Sequence, residues 1–593
     1  MNTVFKLRKW VAMMLLASLL ILGGCEREQQ GRFEALATPE ALAAQSKEFS
    51  KGIEQITDGV WIAIGYGLAN SILIEGDDGL IVIDTMETLE EGRIVAAEFR
   101  KLSDKPLKAI IYTHNHTDHV FGAQAFVEVL SAADVPVAVY AHESTEYYVN
   151  RIVSEYRPII TARSFRMFGT ELDDAGFVNN GLGPRLSIDE HSSFGFVKPT
   201  HTVAKQLSTE IAGVKLELVH APGETNDQLF IWLPEKQVLA VGDNLYKAFP
   251  NLYTIRGTPY RSLQQWAASI DKMRVLPVEH LAPSHTRPLH GGAEIQGVLT
   301  NYRDAIRYVY DQTVRWMNAG LSPDEIVERL QLPAHLAKEP YLQEFYGTVE
   351  FSSRAVFAGN LGWFDGNPAS LRPLAPQDEA QQMAKLAGGE SKLKAQLLAA
   401  VNDGQYQWAL QLSDWVLRLN PQDEAALQAR IEALTRRGEA ETNPNARHYY
   451  LMSALELRDG LRLKPVTAGS EAMLQALPMS VIMNALATNL HAEDVLDIER
   501  KVGISFTDTG EQWTIWIRRG VAEMLPRLEE GLEVHVRVDS LTWKQMLGKQ
   551  INPAVALARM DFELGGRIAM SRFLLLFKPS QDAPEPAPFA GLN

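Results

Sequence analysis

From Ile53 to about Leu289 the chain alternates short apolar runs with longer stretches of helical spacing. Val60-Trp61-Ile62-Ala63-Ile64, Ser71-Ile72-Leu73-Ile74 and Leu80-Ile81-Val82-Ile83 are bounded by Gly and Asp turns, the length and punctuation of strands. Glu90 to Leu102 has the spacing of a helix, and Ala109 to Tyr112 is the next apolar run. Lys215 to Val219 and Gln237 to Val241 repeat the strand pattern. Repeated strand–helix units predict an α/β layer architecture over residues 51–295.

The pattern then changes. From about Gly291 to Gly460 it is strongly helical, and Leu299 to Met317 carries apolar residues at helical spacing. Leu397 to Arg437, with Gly404-Gln405-Tyr406 and Leu419-Asn420-Pro421, reads as a helical-repeat hairpin, with one or two repeats visible. Residues 466–579 form a further α/β unit. In it, Val502 to Phe506 and Gln512 to Ile517 alternate around an Asp-Thr-Gly turn like paired strands. The Pro- and Ala-rich tail, 580–593, is predicted to be disordered.

A chain of 593 residues is too long for one core. Its net charge of -16, with no basic stripe to offset it, argues against nucleic acid as the main partner. The N-terminus is a targeting segment. Lys6, Arg8 and Lys9 precede the apolar run Trp10 to Leu22, which ends in Leu22-Gly23-Gly24-Cys25. This resembles a bacterial lipobox in which Cys25 becomes the lipidated first residue of the mature protein. Glu26 stands where an Asp would favour the inner membrane, which points to the outer membrane, facing the periplasm. Residues 26–50 read as a polar tether. Cys25 is the only cysteine, so no intrachain disulfide or Cys-rich metal site is possible.

The candidate chemistry lies directly after the strand Ala109 to Tyr112. Thr113-His114-Asn115-His116-Thr117-Asp118-His119 places three histidines and an aspartate within six residues. A strand ending in such a cluster delivers these side chains to one point at a sheet's carboxyl edge. Imidazole and carboxylate suit zinc and similar ions, and four such groups leave room for two metals.

The Thr-His-x-His-x-Asp-His pattern resembles the metallo-β-lactamase superfamily. That resemblance implies a four-layer αββα sandwich with metals at the edge of two sheets. Ala221-Pro222-Gly223 leads into Glu224 where the common pattern has histidine, Asp243 follows Val241-Gly242, and His285 sits in Pro283-Ser284-His285. Glutamate at that step resembles the alkylsulfatase branch. Asn251 to Gly257 resembles its sulfate-binding segment, and Gly181-Leu182-Gly183-Pro184 its Gly-rich substrate loop. Tyr346-Gly347-Thr348 and Leu361 to Pro368 resemble its helical dimerisation domain, and residues 466–579 its sterol-carrier-like, alkyl-binding domain.

What this implies is specific. Two Zn2+ ions are expected, one held by His114, His116 and Glu224, the other by Asp118, His119 and His285. Asp243 bridges them, where the family usually has Glu. Asp84 orients a histidine ligand. Asp118, Asp243 and Arg256 are the expected catalytic residues, and Arg256, Asn251, Asn180 and Tyr246 the substrate-binding ones. His142, His220, His280 and His290 are expected to be structural. A homodimer formed through residues 296–460 and an alkyl sulfate substrate complete the expectation. The alternatives are hydrolysis of an aryl sulfate, phosphodiester or lactone, and a lipid-binding lipoprotein without catalysis.

Overall fold

The computed structural model describes residues 39–577, except 153, 154, 175, 187, 190 and 461–470. The expectations for the targeting segment, lipidated Cys25 and the tail therefore lie outside the described residues. Among the described residues, no helix is long and apolar enough to cross a membrane.

Two sheets face each other. The first holds seven strands in chain order: β1 (Gly52–Thr57), β2 (Val60–Ile64), β3 (Ser71–Glu75), β4 (Leu80–Ile83), β5 (Leu107–Ile111), β6 (Ala138–His142) and β7 (His201–Val203). The second holds six: β8 (Gln206–Ile211), β9 (Val214–His220), β10 (Leu229–Leu233), β11 (Val238–Gly242), β12 (His280–Pro283) and β13 (Leu289–His290). Successive strand residues point to opposite faces, and both faces of the central strands are apolar. Ile72, Ile74, Ile81, Ile83 and Ile111 pack between the sheets against Leu218, Ile231 and Ala240. Leu73, Val82 and Ile110 pack outward against Val95, Phe99 and Phe126 of two covering helices. Trp232, Leu239 and Leu281 pack outward on the other side, against Trp266 and Ile270. Three apolar layers between four structural layers make the expected αββα sandwich.

The boundary expected at 295/296 falls within the helix Gly292–Asn318, whose Ile295, Val298, Leu299 and Tyr302 share one core with Trp266 and Leu281. That helix is part of the sandwich's outer layer. Within the expected tether, residues 39–50 are described. Pro39–Gln45 is helical, and Leu42 packs with Leu68, Leu182 and Tyr246. Asn179 Nδ2 donates to the carbonyl of Leu42 over 3.0 Å, so residues from 39 onward are bound to the sandwich.

Beyond the sandwich, helices Pro376–Ala387, Glu390–Asn402, Tyr406–Leu419 and Glu424–Ala440 share a core of Leu393, Leu397, Leu412, Leu417 and Ala433. The C-terminal unit is a five-stranded sheet in which β14 (Glu499–Phe506) lies between β15 (Gln512–Arg518) and β17 (Val534–Val538). Outside these are β16 (Val521–Leu525) and β18 (Asp561–Leu564). Helices Met479–Ala487 and Ser540–Leu547 contribute Met483, Trp543 and Met546 to its core.

Candidate metal centre

Parallel pairing explains where the site falls. β4 pairs in parallel with β5, and β11 with β12, so each sheet presents two carboxyl ends side by side. Asp84 follows β4, Thr113 and His114 follow β5, Asp243 follows β11, and Ser284 and His285 follow β12. A short helix, Thr117–Val120, adds Asp118 and His119. All lie at one edge of the sandwich.

The side chains converge in two groups. Ligand atoms of His114, His116 and Asp243 lie within 4.8 Å of one another, and so do those of Asp118, His119 and His285. Asp243 stands between the groups. Its Oδ2 is 3.5 Å from His114 Nε2, 3.5 Å from His119 Nε2 and 3.2 Å from His285 Nε2. The donor set fits a metal on chemical grounds. His114 Nε2, His119 Nε2 and Asp243 Oδ1 are buried with no hydrogen-bond partner among the described residues. Orphaned buried polar atoms are costly unless something binds them. Burial, with His119 nearby, pulls His114 down to about 4, and burial, with His114 nearby, pulls His116 well below the usual range. Neutral imidazole is the ligating form; at His119 and His285 burial opposes the charge as well, yet the Asp118 and Asp243 carboxylates push both upward. Burial opposes ionisation of Asp118, yet His119 and His285 hold it down to about 2.

Supporting bonds fix the ligands. Asp84 Oδ2 accepts from His119 Nδ1, Thr113 Oγ1 and Ser284 Oγ, each over 2.8 Å, and its Oδ1 accepts from Thr113 N–H over 2.8 Å. One carboxylate thus ties the ends of β4, β5 and β12 together. His285 Nδ1 donates to the Leu68 carbonyl over 2.9 Å. Leu68 N–H donates to the fully buried Glu87 over 3.0 Å. Burial and the nearby Asp118 charge push the Glu87 carboxyl up to about 8.

Three further expected site residues have these surroundings. Glu224, expected beside His114 and His116, lies outside both groups. Its Oε1 is 3.0 Å from Arg261 Nη1. A buried carboxylate requires a countercharge, and Arg261 supplies it against the burial that pushes Glu224 up to about 7. Tyr246 is fully buried and its hydroxyl is engaged by protein groups. That hydroxyl donates to Glu224 Oε2 over 3.2 Å and accepts from Asn251 N–H over 2.7 Å. Asn180 holds a turn. Its N–H donates to Gly183 O over 2.9 Å and its Nδ2 to Pro184 O over 2.8 Å.

Arg256 is brought to the ligands, with Nη2 3.3 Å from His116 Nε2. Burial and neighbouring Arg261 draw its pKa downward. Asn251 is buried nearby, its Nδ2 without a partner among the described residues. His142 stacks on His220, and His280 Nδ1 meets His290 Nδ1 at 2.9 Å, all outside the two ligand groups.

Arg261 and Tyr346 were missed by sequence reasoning. Arg261 also donates to the Asn251 carbonyl, and Tyr346 lines the cavity over the ligands. A signal for the second existed in Gly347. A Cβ there would lie 1.9 Å from Pro250 O, so only glycine lets the Tyr346 segment dock against the Asn251 segment.

That cavity has a volume of about 420 Å³. His116, Asp118, Asp243, Arg256 and His285 line it. Its walls are Phe121, Phe165, Phe168 and Phe194, continued by Leu474, Leu477, Leu486, Leu547 and Phe577 of the C-terminal unit.

A two-sheet sandwich with His and Asp ligands gathered at one sheet edge defines a member of the metallo-β-lactamase superfamily. Residues 64–285 match the description "Metallo-beta-lactamase superfamily", residues 322–460 "Alkyl sulfatase dimerisation" and residues 467–582 "Alkyl sulfatase C-terminal". The chain is 39% identical over 480 residues to a linear primary-alkylsulfatase of Pseudomonas sp. (strain ATCC 19151), covering 79% of this chain and 90% of that one. It is 28% identical to the alkyl/aryl-sulfatase BDS1 of Saccharomyces cerevisiae, covering 91% and 84%. The solved structure of the stereoselective inverting sec-alkylsulfatase Pisa1 from Pseudomonas sp. superposes with a TM-score of 0.82 at 26% identity, covering 91% of this chain and 86% of that one. The chain belongs to the alkylsulfatase family of hydrolases within that superfamily.

Proposed function

We propose that the protein hydrolyses alkyl sulfate esters to an alcohol and inorganic sulfate, using two zinc ions held by the two ligand groups. The observation that carries this reading is a cavity joining ligands of both groups to an apolar lining that extends into the C-terminal unit. A sulfate head needs cations, and an aliphatic tail needs a dry wall. The cavity lining offers both, Arg256 beside the ligands and a run of Phe and Leu side chains. Its volume lies within the ~300–1,000 Å³ of small-molecule sites.

Bound zinc would polarise the ester and lower the pKa of water toward about 7. The chain's own groups do the rest. Arg256 presents a planar fork to the single negative charge of the ester, and Asn251 adds a neutral donor. Asp84 keeps His119 in one tautomer and orientation. Phe121, Phe194, Leu477 and Leu486 exclude water around the tail.

Two further readings accompany this one. The stretch from 361 to 386 leaves Leu361, Trp363, Leu371, Leu374 and Leu386 exposed, and such apolar surface supports a homodimer. Light scattering at the 66.0 kDa of one chain would remove that reading. A lipid on Cys25 in the outer membrane is supported by the lipobox-like sequence alone. An intact, unlipidated N-terminus in mass spectra of the membrane fraction would remove it.

The functional test is product analysis with the metal-loaded protein. Dodecyl sulfate should give dodecanol and sulfate in equal amounts, and an aryl sulfate should react more slowly. Cleavage of the aryl ester with none of the alkyl ester would move the aryl alternative ahead. In 18O water, label in the alcohol marks C–O cleavage and label in the sulfate marks S–O cleavage.

A further inference from the structure

A second cavity of about 250 Å³ meets the first at the ligand cluster. His116, Ile160, Glu224 and Arg256 line both. The remaining walls differ. The second is lined by Asn115, Tyr148, Arg151, Asn226, Thr258 and Arg261 among others, and by no residue of the C-terminal unit. Its lining reaches solvent, since Tyr156 and Tyr260 are 47% and 37% exposed and Asn226 is exposed too. We propose that this cavity is the exit for inorganic sulfate, separate from the path of the alkyl chain. The proposal rests on the alkylsulfatase reading above.

Two observations carry it. The first is the state of Arg261. It is 3% exposed, and its Nη1 is occupied by Glu224 and the Asn251 carbonyl, yet its Nε and Nη2 have no hydrogen-bond partner among the described residues. Buried N–H groups on a cation are expensive to leave unpaired. An oxyanion arriving from Arg256 would satisfy them, and both arginines line the same cavity. The second is the contrast between the routes. Through the first cavity a sulfate ion would have to follow the alcohol past Leu477, Leu486 and Phe577. That route is the one the alkyl chain occupies, although Arg157, Lys544 and Lys549 also line it. Through the second it passes a guanidinium and reaches water. The hydrolysis itself is balanced by water alone: one ester bond breaks, the water oxygen joins carbon or sulfur, one of its protons ends on the alcohol oxygen and the other is released to solvent as hydrogen sulfate ionises to sulfate.

The test narrows the second cavity without touching the ligands. Thr258→Trp and, independently, Asn226→Trp each place a large side chain in the lining. Entry of isotope-labelled inorganic sulfate into metal-loaded, substrate-free protein is followed by rapid filtration, beside single-turnover and steady-state hydrolysis of dodecyl sulfate. Sulfate entry should slow by about tenfold while the single-turnover rate stays within about twofold, and kcat should fall wherever release becomes limiting. Unchanged sulfate entry in both folded variants overturns the proposal. Equal losses of single-turnover rate and kcat with unchanged entry overturn it too. Failure of the underlying reading looks different: wild-type protein then releases no sulfate from dodecyl sulfate at all, while the entry measurement still reports on the cavity.

Discussion

Asp84 is the strongest test of how the metal centre is held. Its carboxylate accepts four bonds of 2.8 Å from three segments, three of them on Oδ2. In Asp84→Asn one oxygen becomes an NH2 donor. If the amide oxygen takes the place of Oδ2, the NH2 faces Thr113 N–H. If it is reversed, the NH2 faces His119, Thr113 Oγ1 and Ser284. At least one buried donor loses its acceptor, costing about 1–3 kcal/mol. The charge-assisted bond to His119 also becomes neutral, about 1 kcal/mol more. The backbone should not change, because Asp84 has φ 59° and Asn tolerates that left-handed region. Loss of a ligand's orienting carboxylate typically lowers metal affinity by about 10–100-fold. Chelator competition should therefore show a 10–100-fold weaker second metal, and thermal melting of the metal-free protein should fall. Wild-type metal affinity together with an unchanged melting temperature would refute the reasoning.

Other predictions follow from the same geometry. Arg256→Ala should lower kcat/KM for dodecyl sulfate by about a hundredfold, about 3 kcal/mol, the scale of one lost oxyanion donor; metal content should be unchanged, and wild-type turnover would reassign the sulfate site. Each methylene added between hexyl and dodecyl sulfate should gain about 0.8 kcal/mol, roughly fourfold in kcat/KM, and a flat chain-length profile would show that the apolar cavity does not hold the tail. His448 is buried with Nδ1 3.2 Å from Met167 O, and burial pulls it down to about 3. Its neutral form is favoured by folding, so its contribution is present above the unfolded pKa near 6.5 and is lost as pH falls from there toward 3. The stability of wild type relative to His448→Gln should then decline on acidification by up to about 1.4 kcal/mol per pH unit; a pH-independent difference would contradict the assignment.

The parts of the site that the sequence reveals are those written locally. His114, His116, Asp118 and His119 follow one strand, and strand ends in a layered α/β fold must meet at one edge. Asp84 and Asp243 were legible for the same reason, each standing directly after an apolar run. What the sequence does not reveal is pairing between residues far apart in the chain. Glu224 pairs with Arg261, and nothing near either residue announces the other. Tertiary packing likewise brings Tyr246 to Glu224 and Asn251, and Asn180 to the Gly183-Pro184 turn, contacts that no local pattern announces. The helix at Pro39–Gln45 was hidden because one buried leucine, Leu42, decides its docking, which is too little to mark a periodic apolar face.

The central claim is that the two ligand groups form a two-metal centre that cleaves alkyl sulfates. Titrating zinc into metal-free protein while recording sulfate release from dodecyl sulfate tests it most directly. The account predicts activity that rises to a plateau at two zinc ions per chain, with Asp118→Ala binding fewer ions and losing most of the turnover. Full activity without metal, or a fully loaded protein that releases no sulfate, would contradict it.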